Sequence, residues 1–227
     1  MLTRNHAKSS IRRSVPVLAV TAMLACSLCY AGSKPTKEKG EFRTNDLVEI
    51  VTLDPTIMLD IRYATSNNFT GKALYPEARA FLQREAALAL VRVNAKIKKY
   101  GYGILVYDAY RPWSVTKKLW QITPQNKKMY VAKPKVGSRH NRGCAIDVSL
   151  YDLVTGKPMK MICEYDDMTE RAHICYRGGT IDQQKLKYLL IIAMNEEGFM
   201  PFSREWWHFD YKGWKRYPVS DMPFSEL

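Results

Sequence analysis

Short apolar runs separated by polar breaks recur along the chain from residue 47 onwards. The first run, LVEIVTLDPTIMLDIRYAT at 47–65, is divided by Asp54-Pro55, and proline cannot donate a hydrogen bond within a strand ladder. We therefore expect two short strands there. Three later runs combine β-branched and aromatic residues in the way typical of strands: GILVYDAY at 103–110, CAIDVSLYD at 144–152 and EWWHFDY at 205–211.

Other segments carry apolar residues at helical spacing. One helix is predicted within 78–103, with lysines crowding its end and Gly101 as its C-terminal stop. A short helix is predicted with Ser114 as its cap, and Asp182 is expected to cap a longer helix that ends at Gly198. The positions that mark the first of these helices are Phe81, Leu88, Val91 and Ala95.

Strands and helices are mixed without the regular alternation of a doubly wound sheet. This arrangement favours an α+β fold with a mainly antiparallel sheet. The chain has 227 residues, of which 46% are apolar, so it is long enough and apolar enough for one domain with a full core.

The N-terminus has the layout of a secretory signal. A basic segment, RNHAKSSIRRS, precedes the apolar stretch VPVLAVTAMLACSLCYA, and cleavage is expected after Ala31. The apolar stretch is shorter than the ~20 residues that span a bilayer, which disfavours a permanent anchor. Lipidation of Cys26 is a minor alternative, because MLAC matches a lipoprotein box poorly. We expect export to the periplasm or beyond, with a signal peptide at 1–31, a flexible linker at 32–44 and one folded domain at 45–227.

The formal net charge of +13 is partly explained by the leader, whose first fourteen residues hold four cations and no acid. The other cations are scattered singly and in pairs. Such scattering is more typical of a solvated surface than of a site for nucleic acid, anionic lipid or an acidic polymer. We therefore expect no nucleic-acid partner, and no stable membrane insertion once the leader is removed.

Three cysteines follow the leader, and in an oxidising compartment two of them can pair. Cys163 and Cys175 flank a polar segment that a disulfide would close. Cys144 precedes a strand-like run and is expected to be a small buried residue. The CxxC spacing of thiolate zinc sites does not occur in the sequence.

GSRHNRGCAIDVSL at 137–150 places a histidine and an aspartate seven residues apart around Gly143. As a strand, the stretch directs its aliphatic side chains to one face and Asp147 to the other, where a carboxylate is costly unless it is paired or bound to a metal. His140 precedes the bend and can turn back over the same face. Taken alone, this spacing more often marks a turn with a hydrogen-bonded aspartate.

A second candidate group lies in EWWHFDY, where Glu205 and His208 are three residues apart. Two histidines and a carboxylate with an open fourth position form a catalytic zinc arrangement, and a further carboxylate beside it can accept a proton from water. The alternative is an aromatic strand in which His208 makes a core hydrogen bond. Arg111 ends an apolar strand and is placed to meet a carbonyl oxygen that gains negative charge, although pairing with Asp108 is the simpler interpretation of Arg111 alone.

SRHNRGCAID matches the SxHxxGxAxD signature, and EWWH the ExxH signature, of the zinc D-alanyl-D-alanine dipeptidases, the VanX-like D-Ala-D-Ala metallopeptidases. The segments IRYATSNNFTGKALY, GYGILVYDAYRP, YDDMTERAH and GFMPFSREWWHFDY also resemble this family, in the same order. The resemblance covers roughly residues 45–215 and is more specific than either motif alone. It implies a hedgehog/D-Ala-D-Ala peptidase-like fold, with helices on one side of the sheet and the zinc site on the sheet.

The resemblance also implies roles for the matching residues. Glu205 would be the general base that activates water and then protonates the leaving amine. Arg111 would stabilise the tetrahedral intermediate. The residues that would bind one zinc ion per chain are His140, Asp147 and His208.

Four further positions match family residues around the substrate. Tyr63 and Asp166 correspond to positions near the amino end of the dipeptide, where a carboxylate suits the free ammonium group. Ser138 corresponds to a position near the substrate carboxylate, and His173 to a supporting residue that is not a ligand.

The reaction implied by the resemblance is hydrolysis of D-Ala-D-Ala to two D-alanine molecules. Because export is expected, salvage of D-alanine or turnover of wall peptides is favoured over glycopeptide resistance. A D,D-carboxypeptidase or endopeptidase that acts on stem peptides is the first alternative, but YATSNNFTG and YDDM resemble the closed amino end of the dipeptidases. A non-catalytic wall-binding module is the second, and a mere binder would need neither Glu205 nor Arg111.

Overall fold

The structure is a computed structural model that describes residues 1–2 and 35–227. The expected leader at 1–31 therefore lies outside the described residues, apart from its first two. Among the helices described, none is long and apolar enough to cross a membrane. In chain order, the strands and helices are β1 (Leu47–Glu49), α1 (Ile50–Leu53), β2 (Met58–Leu59), β3 (Phe81–Gln83), α2 (Arg84–Lys98), β4 (Tyr102–Asp108), α3 (Trp113–Ile122), β5 (Ala145–Asp152), α4 (Ile181–Glu196), β6 (Phe199–Phe202) and β7 (Glu205–Tyr211).

A five-stranded sheet in the order β2-β4-β5-β7-β6 forms the centre of the domain. β2 pairs with β4 in parallel, and the other pairs of this sheet are antiparallel. The strands β1 and β3 form a separate antiparallel pair. The predicted α+β fold with a mainly antiparallel sheet is confirmed.

Helices α2 and α4 contact each other and the sheet, which closes the core on that side. The buried face of α2 recurs at helical spacing, and each large aliphatic side chain buried there contributes about 1.5–3 kcal/mol to the stability of the fold. After α2 the chain turns at Gly101, whose φ of +84° favours glycine, and enters β4. The main buried residues of α2 are Ala86, Leu90, Val93 and Ile97.

The structure corrects several predicted boundaries. Phe81 lies in β3 rather than in a helix, because Phe81–Gln83 pairs with β1 before α2 begins. The run 47–65 contains the short helix α1 between its two strands. β6 was not predicted; Pro201 lies within it and is tolerated because β6 is an edge strand.

Both predicted helix caps are also corrected. Ser114 is the second residue of α3, and its backbone N–H donates to Asp221 Oδ1 at 2.7 Å. Helix α4 starts after Thr180, whose hydroxyl accepts the Gln183 N–H while the Gln183 side chain accepts the Thr180 N–H. Asp182 therefore lies inside the first turn, and a capping box starts the helix.

The described part of the expected flexible linker is fastened to the domain. Glu38 accepts hydrogen bonds from the guanidinium of Arg142 and from the Val219 N–H at 2.8 Å. The backbone N–H of Arg43 donates to the Arg216 carbonyl at 2.8 Å. From Glu38 onwards this segment therefore belongs to the folded domain.

The expected disulfide between Cys163 and Cys175 is not formed in the structure, where both residues and Cys144 are free thiols. Cys163 is buried and its sulfur accepts the indole N–H of Trp206 at 3.3 Å, whereas Cys175 is exposed. The two side chains occupy different environments, so closeness in sequence does not bring the sulfur atoms together. The prediction that Cys144 is buried is confirmed.

Candidate active site

The turn His140–Arg142 places His140 just before β5, the central strand of the sheet. It ends at Gly143, whose φ is +63° and whose Cβ, if present, would lie 2.3 Å from Leu47 Cδ2. Any other residue there would be both strained and in collision. The ring of His140 is oriented by its Nδ1–H, which donates to the Ala109 carbonyl at 2.7 Å and leaves Nε2 directed at the site.

Strand register brings the other two candidate ligands together. In the antiparallel pairing of β5 with β7, Asp147 lies directly opposite His208. Both side chains project from the same face of the sheet, because cross-strand partners share a face. The metal site predicted on the sheet thus follows from one register, which a shift by a single residue would destroy.

His140, Asp147 and His208 offer three ligand atoms that all lie within 4.8 Å of one another. His140 Nε2 is 3.1 Å from His208 Nδ1 and 3.4 Å from Asp147 Oδ1, and His208 Nδ1 is 2.9 Å from Asp147 Oδ1. Neighbouring ligands of a tetrahedral ion with bonds of about 2.0–2.1 Å have similar separations. Two imidazoles and one carboxylate at these distances fit a metal ion.

Each candidate ligand has its other polar atom bonded elsewhere. Asp147 Oδ2 accepts the hydroxyl of Tyr165 at 2.8 Å, so Oδ1 remains for the metal. His208 Nε2 donates to Asp210 Oδ1 at 3.1 Å, so Nδ1 remains. Such outer partners fix the tautomer and orientation of metal ligands.

The electrostatics of these groups favour positive charge between them. Burial would raise the pKa of Asp147, but the charges and hydrogen bonds of His140 and His208 hold it well below its usual range. Burial would lower the pKa of His208, but hydrogen bonds to Asp147 and Asp210 raise it well above its usual value. An environment that stabilises a proton on His208 also favours a metal cation.

Glu205 lies at the start of β7, with Oε2 3.9 Å from His208 Nδ1. Burial, with a further contribution from the negative charges of Asp147 and Asp166, raises the pKa of Glu205 to about 8 despite the opposing His208 and Arg111. A carboxyl group with a pKa near neutrality can both accept and return a proton, which suits a general base and acid. It lies close to the candidate ligands but is not among them.

Arg111 is almost fully buried and is held by Asp108, whose Oδ2 accepts from Nε at 2.9 Å and from Nη2 at 2.5 Å. Asp108 is fixed in turn by the hydroxyl of Tyr75 at 2.7 Å. The pairing that was the simpler interpretation of Arg111 therefore exists, but inside the cavity rather than on the surface. The guanidinium also faces the ring of Tyr63, with 5.2 Å between Cζ and the ring centroid.

Tyr63 and Asp166 are in contact within the same site. The hydroxyl of Tyr63 lies 3.2 Å from both carboxylate oxygens of Asp166. Burial, and then the negative charge of Asp147, raises the pKa of Asp166 to about 7. Asp166 has a φ of +63° and is the single non-glycine residue with positive φ in the described chain. Strain of this kind is concentrated at functional sites.

These groups line a cavity of about 160 Å³, into which Ser138 also projects. Two contacts join the segment that carries Met129 and Tyr130 to the segment that follows Asp166, and together we name them the clasp. Lys127 Nζ donates to the Met168 carbonyl at 2.5 Å, and the hydroxyl of Tyr130 lies 3.4 Å from His173 Nε2. His173, expected to be a supporting residue, thus contacts Tyr130 of the cavity wall and is outside the candidate ligand set.

Comparison with known proteins agrees with this arrangement. The model of the peptidase M15 family, described as D-ala-D-ala dipeptidase, matches residues 43–225. The chain belongs to this family. A D-alanyl-D-alanine dipeptidase of Escherichia coli (strain K12) is 36% identical over 182 residues, which cover 80% of this chain and 93% of that protein. One from Enterococcus faecium is 33% identical over 183 residues, which cover 73% of this chain and 90% of that protein. One from Enterococcus faecalis (strain ATCC 700802 / V583) is 35% identical over 169 residues, which cover 66% of this chain and 83% of that protein.

As a member of the peptidase M15 family, the chain is a hydrolase, as the sequence predicted. The group formed by His140, Asp147 and His208 is one that could hold a metal ion. The structure brings together all eight of the residues predicted for metal binding, catalysis and substrate binding. Sequence reasoning missed Tyr165 and Asp210 as outer partners of the ligands. Asp210 was detectable in principle, since it lies two residues after His208 and projects from the same face of the strand.

Proposed function

We propose that this member of the D-ala-D-ala dipeptidase family hydrolyses D-Ala-D-Ala to two D-alanine molecules and uses one zinc ion per chain. The observation that carries the proposal is a small cavity lined by groups for both charged ends of a dipeptide and for the reaction between them. Tyr63, in contact with Asp166, lines it together with Ser138, and Glu205 and Arg111 line the same cavity. A dipeptide has an ammonium and a carboxylate separated by one peptide bond, which suits this set of groups.

Separate residues bind the two ends of the dipeptide and stabilise the charge that develops on its carbonyl oxygen. Asp166, hydrogen-bonded by Tyr63, holds the ammonium of the dipeptide, whose positive charge favours the ionised carboxylate, and Ser138 contacts the carboxylate of the dipeptide. Arg111 donates to the scissile carbonyl oxygen as that oxygen gains negative charge. Because Asp108 fixes the guanidinium beforehand, little reorganisation is required as the charge develops.

Glu205 moves the proton. It accepts one from the attacking water and returns it to the amide nitrogen as the C–N bond breaks, so that the nitrogen leaves as an amine and both products are D-alanine. A zinc ion held by His140, Asp147 and His208 would supply the Lewis acidity that polarises the carbonyl and lowers the pKa of water.

The clasp favours a free dipeptide over longer peptides. It joins the wall that carries Tyr130 to the wall that continues from Asp166, the residue proposed to hold the ammonium. A stem peptide would have to extend through this wall. Hydrolysis of stem peptides, the activity of a D,D-carboxypeptidase, is therefore the second candidate function.

We further propose that the enzyme is exported, on the basis of the basic and apolar pattern of residues 1–31. D-alanine salvage or turnover of wall-derived peptides then follows as its role, because an exported enzyme does not meet precursors in the cytoplasm. Edman sequencing of the exported protein should give an N-terminus at Gly32.

The direct test is to incubate the zinc-loaded protein with D-Ala-D-Ala and, separately, with a stem pentapeptide, and to measure released D-alanine. Release from the dipeptide alone is the expected result. Faster release from the pentapeptide would replace the dipeptidase by the carboxypeptidase, and release from neither would leave a binding module.

A further inference from the structure

The segment from Ala109 to Ile146 contains no aspartate or glutamate but nine lysines and arginines. These nine equal the whole excess of positive over negative charge outside the first fourteen residues, since the rest of the chain has as many acids as cations. The basic character of the domain is therefore local. This corrects the expectation that the cations are scattered over a solvated surface.

The three arginines of this segment are neutralised internally. Arg111 pairs with Asp108, Arg139 lies 3.6 Å from Asp210, and Arg142 is bound by Glu38. The lysines are in a different position. Within the part of the chain that the structure describes, no carboxylate lies at ion-pair distance from five of them, which we name the lysine surface: Lys118, Lys127, Lys128, Lys133 and Lys135.

Helix α3 is packed against the chain that follows it. The indole N–H of Trp113 donates to the Pro134 carbonyl at 2.8 Å, which ties the start of the helix to the loop. The ammonium of Lys128 lies over the ring of Trp120, 4.5 Å from its centroid, and bonds to the carbonyl of the same residue. The lysines are thus presented by a single packed unit.

Large apolar side chains of the same segment are also exposed. Ile122 is 51% exposed, Met129 57% and Val136 69%. Cations together with exposed apolar side chains are the combination that binds the interface of an anionic bilayer, where lysines meet headgroups and apolar groups enter the acyl boundary. A merely solvated surface would not need the apolar residues.

We propose that the lysine surface, with Ile122 and Val136, docks the domain on an anionic lipid bilayer. The aromatic residues of the segment argue against single-stranded nucleic acid, which binds exposed rings by stacking. Trp113 is buried, Trp120 is covered by Lys128, and Tyr130 contacts His173. Binding to a soluble acidic polymer would use the lysines alone.

Docking would bring the cavity close to the membrane surface, because Met129 lines the cavity and lies between Lys128 and Lys133 in the sequence. The interaction is peripheral and leaves the hydrolytic groups in place. It does not depend on the proposed reaction, so dipeptide hydrolysis measured without vesicles tests that reaction separately.

The test uses residues 32–227, the chain left by cleavage after Ala31, because Ser33–Leu227 forms a compact unit with its own core. Sedimentation with phosphatidylglycerol vesicles and with phosphatidylcholine vesicles is measured at increasing salt. Two triple variants with equal loss of charge are compared by this assay. The first is Lys118→Gln, Lys133→Gln and Lys135→Gln, and the control outside the segment is Lys72→Gln, Lys99→Gln and Lys157→Gln.

The wild-type domain is expected to bind the anionic vesicles alone and to dissociate as salt rises. The first triple variant should bind about 100-fold more weakly, since each lysine near an anionic surface contributes about 1 kcal/mol, while the control changes less than about threefold. No binding by the wild type, or an equal loss in both triple variants, would overturn the proposal.

A further variant, Ile122→Ser with Val136→Ser, distinguishes binding to a lipid bilayer from binding to a soluble acidic polymer. It should bind phosphatidylglycerol vesicles about tenfold more weakly and soluble polyglutamate as well as the wild type does. Unchanged vesicle binding in this variant would show that charge alone acts, and the surface would then be assigned to an acidic polymer. Circular dichroism and thermal melting of all variants confirm that they are folded.

Discussion

At the scale of single residues, the site separates the groups that bind the metal from the group that transfers the proton. Glu205 is 3.9 Å from His208 but is outside the set of three candidate ligands. Glu205→Gln is therefore expected to keep stoichiometric zinc and normal melting while the rate falls by about 10²–10⁴. Metal analysis and D-alanine release on the same preparation measure both properties. His208→Ala is the control, and it should lose zinc and activity together.

The outer partners of the ligands lead to a second prediction. Tyr165→Phe removes the hydrogen bond to Asp147 Oδ2 but keeps the ring, so zinc affinity should fall by about 10–100-fold without loss of the fold. Competition with a chelator measures this affinity. The matched control is Tyr107→Phe, because the ring of Tyr107 packs 4.9 Å from that of Tyr165 in the same cluster. Equal affinities in the two variants would contradict the role of the hydroxyl.

The ligand types were predictable from sequence because metal chemistry restricts them to few residues and because the motifs match a family. The direction of a side chain was less predictable. Cys163 and Cys175 are close in sequence, yet one sulfur meets Trp206 in the core and the other is exposed. Partners such as Tyr165 depend on loops that fold back over the sheet, and local sequence does not specify that folding.

At the scale of elements, strands β4, β5 and β7 were predicted closely, since buried central strands have a strong apolar and aromatic pattern. The short elements were not. Phe81–Gln83 has the same residue types as the start of a helix and becomes a strand through its pairing with Leu47–Glu49. Tertiary pairing overrides local preference at such positions.

The clasp leads to a prediction about substrate length. Lys127→Met combined with Tyr130→Phe should open the amino end of the cavity, and hydrolysis of D-Ala-D-Ala-D-Ala relative to D-Ala-D-Ala should rise about tenfold, as expected for the loss of one or two hydrogen bonds of about 1 kcal/mol. The ratio of kcat/KM values for the two peptides measures the effect.

A neighbouring lysine provides the control for this prediction. Lys128 bonds to the Trp120 carbonyl and not to the Met168 carbonyl, so Lys128→Met combined with Tyr130→Phe isolates the part due to Lys127. If both double variants gave the same ratio, Lys127 would have no part in limiting substrate length.

At the scale of the whole molecule, the segment before β1 contributes to the turn that carries His140. Glu38, near the start of the folded domain, accepts hydrogen bonds both from Arg142 and from Val219, which is near the end of the domain. Glu38→Ala should lower the free energy of unfolding by about 1–3 kcal/mol, as expected for lost hydrogen bonds to a charged group. Urea unfolding measures this change. Glu41→Ala, at an exposed position nearby, should change it by less than about 0.5 kcal/mol.

The left-handed backbone of Asp166 sets stability against activity at one position. Glycine is relaxed at a φ of +63° and would carry no buried carboxylate, so Asp166→Gly should raise the melting temperature even though glycine makes the unfolded chain more flexible. The same substitution should raise KM for D-Ala-D-Ala, because the partner of the ammonium is lost. Selection for heat resistance would then favour glycine at position 166 and weaken binding of the substrate. Selection for turnover would favour aspartate and lower the melting temperature.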